Sequence, residues 1–261
     1  MNGDNRPALA VLLAAGRGKR LRPYTDIMPK PLLPVDGRPL LDHTLAAVAA
    51  AGIRRVCLVT NHLAQQIEDF VGDGSNWGLT PVFCRQTELL GTAHALNEVV
   101  NAYPQLFPNG DSFLLTATDY IWPANYLHDL VAAHIVDGAD ISVSLKRFPG
   151  ADLSERSSVA FNSQGGIAQI VEKPGPGQAP SEYVASLTTI LPSAAGAYLA
   201  NMQPSPRGEY ELQTIINEMI DDGYRAQGLE QAVPGEWQPY MWNGKGCESG
   251  FYGDGRLPRT I

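Results

Sequence analysis

The stretch LAVLLAAGRGKRLRPYTDIMPKPLLPV, residues 9–35, decides the fold class. It opens with a continuous apolar run that stops at Gly16, which is typical of a strand buried on both faces of a parallel sheet. Lys19 and Arg20 follow closely, although the whole chain has a formal net charge of −8. Glycines at a strand end allow positive φ values and a close backbone approach, so several N–H groups can face one anion. The stretch therefore predicts an anion-binding turn, with a plain tight turn as the alternative.

Strand and helix patterns alternate from this first strand to about residue 150. Strands are predicted over 9–16, 54–61, 80–86, 112–119 and 140–148, and helices over 40–52, 63–74, 92–107 and 123–139, the last with Pro123 in its first turn. This order favours a three-layer α/β/α fold with a mostly parallel, Rossmann-like sheet. Ligands of such sheets bind beyond the carboxyl ends of the strands, where the glycine turn, Gln86 and Asp119 are expected to lie.

The pattern changes after residue 150. A hairpin is predicted over 157–174 around Gly165-Gly166, then a strand over 183–191, a helix over 208–224 and a late strand over 236–242. No linker is long enough to separate domains. Residues 1–261 are therefore predicted to form a single domain, with one half over about 8–150, a second over about 151–245 and a tail over 246–261.

The composition argues against several classes of protein. The excess of acidic residues disfavours a nucleic-acid binder, which needs a basic face, and no apolar run approaches the length that spans a membrane. The three cysteines lack C-x-x-C spacing, which is typical of reduced thiols in a cytoplasmic protein, and Cys57 and Cys84 are predicted to fill the core. A local basic cluster in an acidic chain suits a small anionic ligand.

Two familiar phosphate-binding motifs do not fit the opening stretch. A Walker A loop would need a glycine at Leu13 and a hydroxyl at Arg20, and a dinucleotide fingerprint would need a third glycine at Leu21. The pattern instead continues through Arg20, Pro23, Thr25 and the segment Pro29–Pro34. It resembles the signature of the sugar-phosphate nucleotidylyltransferase family, G-x-G-x-R-L-x-P-x-T…P-K-x-x-L-P. A solvated basic loop is the alternative interpretation.

The resemblance covers about residues 8–245 and implies a role for particular residues. It implies that Arg20 and Lys30 are catalytic cations, and that Asp119 and Asn243 hold Mg²⁺. The nucleotide is expected to contact Leu13, Ala14, Ala15, Gly16, Gly18, Gln86, Gly91 and Thr92, with Gln86 bonding a pyrimidine base. The acceptor is expected to contact Ser158, Glu172, Lys173 and Thr188, within a half that binds it. From residue types alone, Gln86 could be an exposed strand-end amide and Asp119 a helix cap.

The activity that the resemblance implies is transfer of a nucleotide from UTP or dTTP to a sugar 1-phosphate, which yields a nucleotide sugar and pyrophosphate. The sequence departs from the family pattern at Ser158 and Thr118, where glycine is usual, and over 186–191. A cytidylyltransferase for a polyol or other non-sugar phosphate therefore stays open, as does a non-catalytic, nucleotide-sugar-binding regulatory relative. The sequence predicts neither the acceptor nor the oligomeric state.

Overall fold

The computed structural model describes residues 6–231, so Asn243, the predicted strand over 236–242 and the tail lie outside the described residues. The strands are β1 (Leu9–Leu13), β2 (Pro34–Val35), β3 (Arg38–Pro39), β4 (Arg55–Thr60), β5 (Thr80–Arg85), β6 (Ser112–Ala117), β7 (Ile141–Arg147), β8 (Ser157–Phe161), β9 (Ile167–Glu172), β10 (Tyr183–Pro192) and β11 (Ala226–Glu230). The helices are α1 (Tyr24–Ile27), α2 (Leu40–Ala50), α3 (Ala64–Val71), α4 (Thr92–Ala102), α5 (Tyr126–Asp137), α6 (Ala195–Leu199) and α7 (Leu212–Asp221).

Within residues 6–231, nine strands form the main sheet in the order β5-β4-β1-β6-β10-β7-β11-β9-β8. In its first half β1 pairs in parallel with both β4 and β6, and β4 pairs in parallel with β5, as the alternating pattern predicts. The register sets Leu13 opposite Val59 and Ala117, so the carboxyl ends of three neighbouring strands are level. The loops that follow them therefore meet at one edge of the sheet.

The prediction of a mostly parallel sheet is wrong for the second half, where the sheet is mixed. β10 lies between β6 and β7 and runs antiparallel to both. β9 is antiparallel to β8, as the predicted hairpin requires, and also to β11. Apolar periodicity identifies a strand but not the direction of its neighbour, so a returning strand can enter between two strands that are parallel to each other. β11 was not predicted, since its sequence AQGLE lacks a β-branched apolar run.

Helices cover both faces of the sheet, which confirms the three-layer arrangement. Along β1, Leu9 and Val11 belong to one buried cluster, which includes residues of α4, α6 and α7. Ala10 and Leu12 belong to a second cluster, with residues of α2, α3 and α5. Successive side chains of a strand point to opposite faces, so an unbroken apolar run is needed when both faces are covered. Cys57 and Cys84 are buried free thiols in the first cluster, as predicted.

Helix ends differ from the predicted ones where a proline or a residue with left-handed backbone geometry intervenes. α5 begins at Tyr126, so Pro123 precedes the helix and does not lie in its first turn, and Asn125 between them has a φ of 64°. α4 ends at Ala102, and the residues around Pro104 form a separate short 3-10 helix. A proline lacks the N–H that would continue a helix. Within residues 6–231, no helix has both the length and the apolar character needed to cross a membrane.

Candidate active site

A cleft of about 630 Å³ opens at the carboxyl ends of β1 and β6. Thirteen of the predicted site residues line it: Leu13, Ala14, Ala15, Gly16, Gly18, Arg20, Lys30, Gln86, Gly91, Thr92, Asp119, Glu172 and Lys173. These residues come from both halves of the chain. Those that follow β1, β5 and β6 meet because these parallel strands end at the same edge, and Glu172 and Lys173 reach the cleft from the end of β9. The sequence therefore located about half of the residues that line this cleft.

The two glycines of the turn after β1 serve different purposes. Gly18 has a φ of 58°, and a Cβ there would lie 2.9 Å from the Cγ2 atom of Thr25. The Thr25 hydroxyl also donates to the Gly18 carbonyl at 3.0 Å, so the turn closes on itself. Gly16 does not have a positive φ, contrary to the expectation for both glycines, and a Cβ there would meet no atom within 4 Å. Gly16 therefore leaves open space beside the cleft, which permits close approach of a ligand.

Lys30 and Asp119 form an ion pair within the cleft, with 2.5 Å between Nζ and Oδ2. Lys30 begins a short 3-10 helix after the extended Pro29, and Asp119 lies two residues beyond β6. Both side chains keep partial exposure, so a ligand in the cleft can reach them. Asp119 does not cap α5, which begins at Tyr126 and has no side-chain cap. The alternative interpretation of Asp119 as a helix cap is therefore wrong.

Thr118, which stands where the family usually has glycine, ties the two central strands together. Its backbone N–H donates to the carbonyl of Leu13 at 3.3 Å, and its hydroxyl donates to the same oxygen at 3.2 Å. The side chain is buried at the cleft wall. Threonine is therefore tolerated at this position in place of glycine, because its hydroxyl donates to a carbonyl at the end of β1.

Gln86 follows β5 and is only 3% exposed although it lines the cleft. Its side-chain nitrogen Nε2 lies 3.5 Å from the carbonyl oxygen of Gly91 and 3.2 Å from Nδ1 of His94. Its backbone carbonyl oxygen accepts a hydrogen bond of 2.6 Å from the side chain of Asn61. The interpretation as an exposed strand-end amide is therefore wrong, since the amide is buried and held.

The turn that carries Gln86 is clamped by the segment before α7. The Tyr210 N–H donates to Leu90, and the Tyr210 carbonyl accepts from Ala93, at 2.8 and 2.9 Å. Gly91 has a φ of 123°, and a Cβ there would lie 2.3 Å from the Tyr210 carbonyl oxygen. The Thr92 hydroxyl accepts from the N–H of Leu212, at 3.0 Å. Gly91 and Thr92 thus join the two halves of the cleft, in addition to any contact with a nucleotide.

Carboxylates and cations alternate at the end of the cleft formed by the second half of the chain. Glu172 accepts a hydrogen bond from Ser157, and its other oxygen lies 4.0 Å from Arg207. Arg207 also pairs with Glu211 at 2.6 Å. Lys173 has a φ of 48°, and its ammonium lies 3.6 Å from Glu155. Such a mixture of donors and acceptors suits a ligand with several hydroxyl groups.

The structure does not bring Ser158 and Thr188 into the cleft. Ser158 is fully buried and donates to the carbonyl of Ser181 at 3.0 Å. The hydroxyls of Thr188 and Thr116 form a hydrogen bond of 2.9 Å with each other, and both residues are buried and do not line the cleft. The register of β10 against β7 shifts between Ala185 and Thr189, which a single sequence does not reveal.

Several cleft residues were not among the predicted site residues. They are Lys19, Leu21, Pro31, Leu89, Ala95, Ala117, Thr118, Leu187, Arg207, Glu209, Glu211 and Gln213. Leu187 takes the place in the cleft that Thr188 was expected to occupy. Its N–H lies 3.4 Å from the Tyr120 hydroxyl, and burial beside Asp119 raises the pKa of Tyr120, which keeps that hydroxyl protonated. The charged run RGEYE before α7 was the available signal for Arg207 and its neighbours.

The cleft offers few protein ligands for a metal. Among the described residues, no group of three or more His, Cys, Asp or Glu side chains could hold an ion. Asp119 supplies carboxylate oxygens that face the cleft. Mg²⁺ binds by oxygen and commonly takes one or two carboxylates together with substrate phosphates, so this donor set fits Mg²⁺ better than zinc. Asn243, the second predicted ligand, lies outside the described residues.

Comparison with known sequences identifies the class of protein. The family model described as nucleotidyl transferase matches residues 9–243. The UTP–glucose-1-phosphate uridylyltransferase AglF of Haloferax volcanii is 32% identical over 215 residues, which are 82% of this chain and 84% of that protein. The chain therefore belongs to the nucleotidyl transferase family, a family of enzymes of nucleotide-sugar biosynthesis, and the predicted resemblance is confirmed.

Other relatives agree but are longer than this chain. A glucose-1-phosphate thymidylyltransferase of Streptomyces antibioticus is 31% identical over 235 residues, 88% of this chain and 61% of that protein. The low-salt glycan biosynthesis nucleotidyltransferase Agl11 of Haloferax volcanii is 28% identical, and the chain likewise spans 61% of its length. A crystal structure of UDP-glucose pyrophosphorylase complexed with UDP-glucose has a TM-score of 0.74 at 18% identity, with 86% of this chain and 90% of that chain covered. That likeness supports the fold.

Proposed function

We propose that this protein transfers a nucleotide from UTP or dTTP to a sugar 1-phosphate. The observation that carries the proposal is the Lys30–Asp119 pair beside the glycine turn, in one cleft with the buried amide of Gln86. Relatives that bear the names of glucose-1-phosphate uridylyl- and thymidylyltransferases support the same pair of substrates. The carboxylates around Glu172, at the end formed by the second half, suit the hydroxyls of a sugar.

The reaction needs no covalent enzyme intermediate. A phosphate oxygen of the sugar 1-phosphate attacks the α-phosphorus of the triphosphate and forms a new P–O bond. The bond from the α-phosphorus to the oxygen that bridges it to the β-phosphate breaks, and pyrophosphate leaves with that electron pair. Catalysis consists of positioning and of charge stabilisation, as in other phosphoryl-type transfers.

The cations of the first half hold the negative charge of the two substrates. Arg20 lines the cleft and, within residues 6–231, has no ion-pair partner, so its guanidinium is available to the leaving pyrophosphate. Lys30 contacts the α-phosphate and the incoming sugar phosphate. Lys173 orients the acceptor phosphate, and Glu172 accepts hydrogen bonds from sugar hydroxyls. Gly16 and Gly18 allow the triphosphate to approach the backbone.

Asp119 is the residue that would hold Mg²⁺, together with Asn243 on the evidence of the sequence resemblance alone. Bound Mg²⁺ supplies neutralisation of the triphosphate charge. Lys30 contacts Asp119, so its ammonium lies beside the carboxylate that would hold the metal. The same pair thus accounts for both a metal ligand and a catalytic cation at one point in the cleft.

The test is a pyrophosphate-release assay with each common triphosphate and a panel of phosphorylated acceptors, with Mg²⁺ and with EDTA. We expect pyrophosphate only when UTP or dTTP is combined with a sugar 1-phosphate, and no release with EDTA. Release only with CTP and a polyol phosphate would replace the proposal with the cytidylyltransferase alternative. Nucleotide-sugar binding without any turnover would indicate a regulatory relative.

A further inference from the structure

We propose that His94 determines which base the cleft accepts, because it holds the side-chain amide of Gln86 in one orientation. The inference rests on the proposed function and concerns the same site. His94 lies in α4, with a side chain that is 15% exposed, and it contacts Gln86 rather than lining the cleft. It is therefore a positioning residue that acts on the nucleotide through Gln86.

The orientation of the amide follows from its neighbours. The Gly91 carbonyl can only accept a hydrogen bond, so the Gln86 atom that faces it at 3.5 Å is the nitrogen Nε2. The same nitrogen lies 3.2 Å from Nδ1 of His94. An amide nitrogen has two hydrogens and no free acceptor site, so Nδ1 accepts the second one. Both hydrogens of Nε2 are then used within the protein.

The tautomer of His94 is set from its other side. If Nδ1 accepts, the ring proton of neutral histidine is on Nε2. That atom lies 3.8 Å from the Oε1 atom of Glu98, one helical turn further along α4. A carboxylate there favours a proton on the facing nitrogen, so Glu98 and Gln86 favour the same tautomer. The ring of Tyr210 packs against His94, with 6.1 Å between the ring centres, and limits its rotation.

The consequence is a single free atom on the reading side chain. Within residues 6–231, no group donates to Oε1 of Gln86, and the backbone of Gln86 is fixed by bonds to Thr60 and Asn61. Uracil and thymine carry an N3–H that donates to such an oxygen, whereas the N3 of cytosine only accepts. If two acceptors face each other in a buried site, neither forms a hydrogen bond. A base that presents an acceptor to Oε1 is therefore bound much more weakly. His94 thus makes the site selective for UTP or dTTP against CTP.

The experiment compares kcat/KM for UTP and for CTP in the wild-type protein and in His94→Ala. Without His94 only the longer contact of 3.5 Å to the Gly91 carbonyl holds the nitrogen, so the amide can rotate and offer its NH₂ group, and we expect the UTP-to-CTP ratio to fall by about tenfold or more. The kcat with UTP should stay within about threefold, because His94 does not touch the reacting phosphates. His128→Ala, an exposed histidine of α5, is the matched control and should leave the ratio unchanged. An unchanged ratio in folded His94→Ala overturns the inference.

A second measurement does not depend on activity. ¹⁵N spectra of the histidine rings at pH 8, with His94 assigned by the signal missing in the variant, should show a protonated Nε2 and an unprotonated Nδ1. A protonated Nδ1 would overturn the inference even where the kinetics agree. If His94→Ala does not fold, Glu98→Gln should lower the base ratio in the same direction. A wild-type protein that turns over no triphosphate refutes the proposed function, and the spectra still decide the His94–Gln86 contact.

Discussion

At Lys30 the chain fixes a cation by its backbone rather than by burial. Pro29 is extended, the following Pro31 is buried, and the Leu33 N–H donates to the Lys30 carbonyl at 3.1 Å. Two prolines restrict the backbone on both sides of the lysine, so little conformational entropy is lost when the ammonium binds an anion. The side chain keeps one quarter of its surface exposed, which leaves room for a phosphate.

Loss of this cation should affect turnover far more than folding. We expect Lys30→Ala to lower kcat by about a hundredfold or more, the effect of removing one preorganised group that stabilises developing charge. Arg22→Ala is the matched control, since Arg22 is an exposed cation of the same loop, pairs with Asp26 and does not line the cleft. Steady-state kinetics should show near wild-type turnover for Arg22→Ala. Near wild-type turnover in Lys30→Ala as well would remove Lys30 from the proposed mechanism.

In the turn after β1, one glycine is restricted by its backbone geometry and the other leaves open space beside the cleft. Gly18 has left-handed backbone geometry and a Thr25 contact that a Cβ would violate, whereas Gly16 has neither restriction. We expect Gly18→Ala to lose about 1 kcal/mol or more of unfolding free energy. Gly16→Ala should keep its stability but raise KM for the triphosphate by about tenfold, because the methyl group enters space beside the cleft.

Urea unfolding and substrate titration of the two variants separate these effects, and each variant is the control for the other. Equal stabilities of Gly16→Ala and Gly18→Ala would show that the geometry of Gly18 is not required for folding. A wild-type KM in Gly16→Ala would show that the triphosphate does not approach the backbone at Gly16.

How far the sequence predicts the elements depends on where their partners lie. β1, β4, β5 and β6 are apolar runs ended by polar or glycine turns, and their order along the chain suffices to predict parallel pairing. β10 was also predicted as a strand, but its place between β6 and β7 depends on a long-range return that no local pattern encodes. The same limit applies to the site. Gln86 follows a predictable strand, whereas the burial of Thr188 depends on an irregular strand register.

Across the whole molecule, charge and shape are divided between the exterior and the cleft. The chain has a net charge of −8, yet Lys19, Arg20 and Lys30 line one part of the cleft. A polyanion is repelled by most of such a surface and attracted at one place, which favours productive encounter. The other part is lined by the carboxylates Glu172, Glu209 and Glu211 together with the cations Lys173 and Arg207, a mixture that suits a ligand with one phosphate and several hydroxyl groups. The basic part of the cleft would thus suit the proposed triphosphate, and the mixed part would suit the proposed sugar 1-phosphate.

The stability of the whole fold should depend on pH through His134, which α5 buries against β7. Its Nδ1 lies 2.9 Å from the Ser142 hydroxyl, and burial lowers the pKa of His134 to about 4, with Asp140 opposing the shift. Well above pH 6.5 the ring is neutral in both the folded and the unfolded chain, so its ionisation does not affect stability. As the pH falls from 6.5 towards 4, the unfolded chain takes up the proton first, and the free energy of unfolding decreases.

We expect this group to lower the free energy of unfolding by about 2 kcal/mol between pH 7 and pH 5. Urea unfolding at both pH values should show that the free energy of unfolding decreases by about 2 kcal/mol less in His134→Gln than in the wild-type protein. The control His128→Gln, which replaces an exposed histidine, should show the same decrease as the wild-type protein. Equal pH dependence in the wild-type protein and His134→Gln would mean that His134 is not held neutral in the folded state.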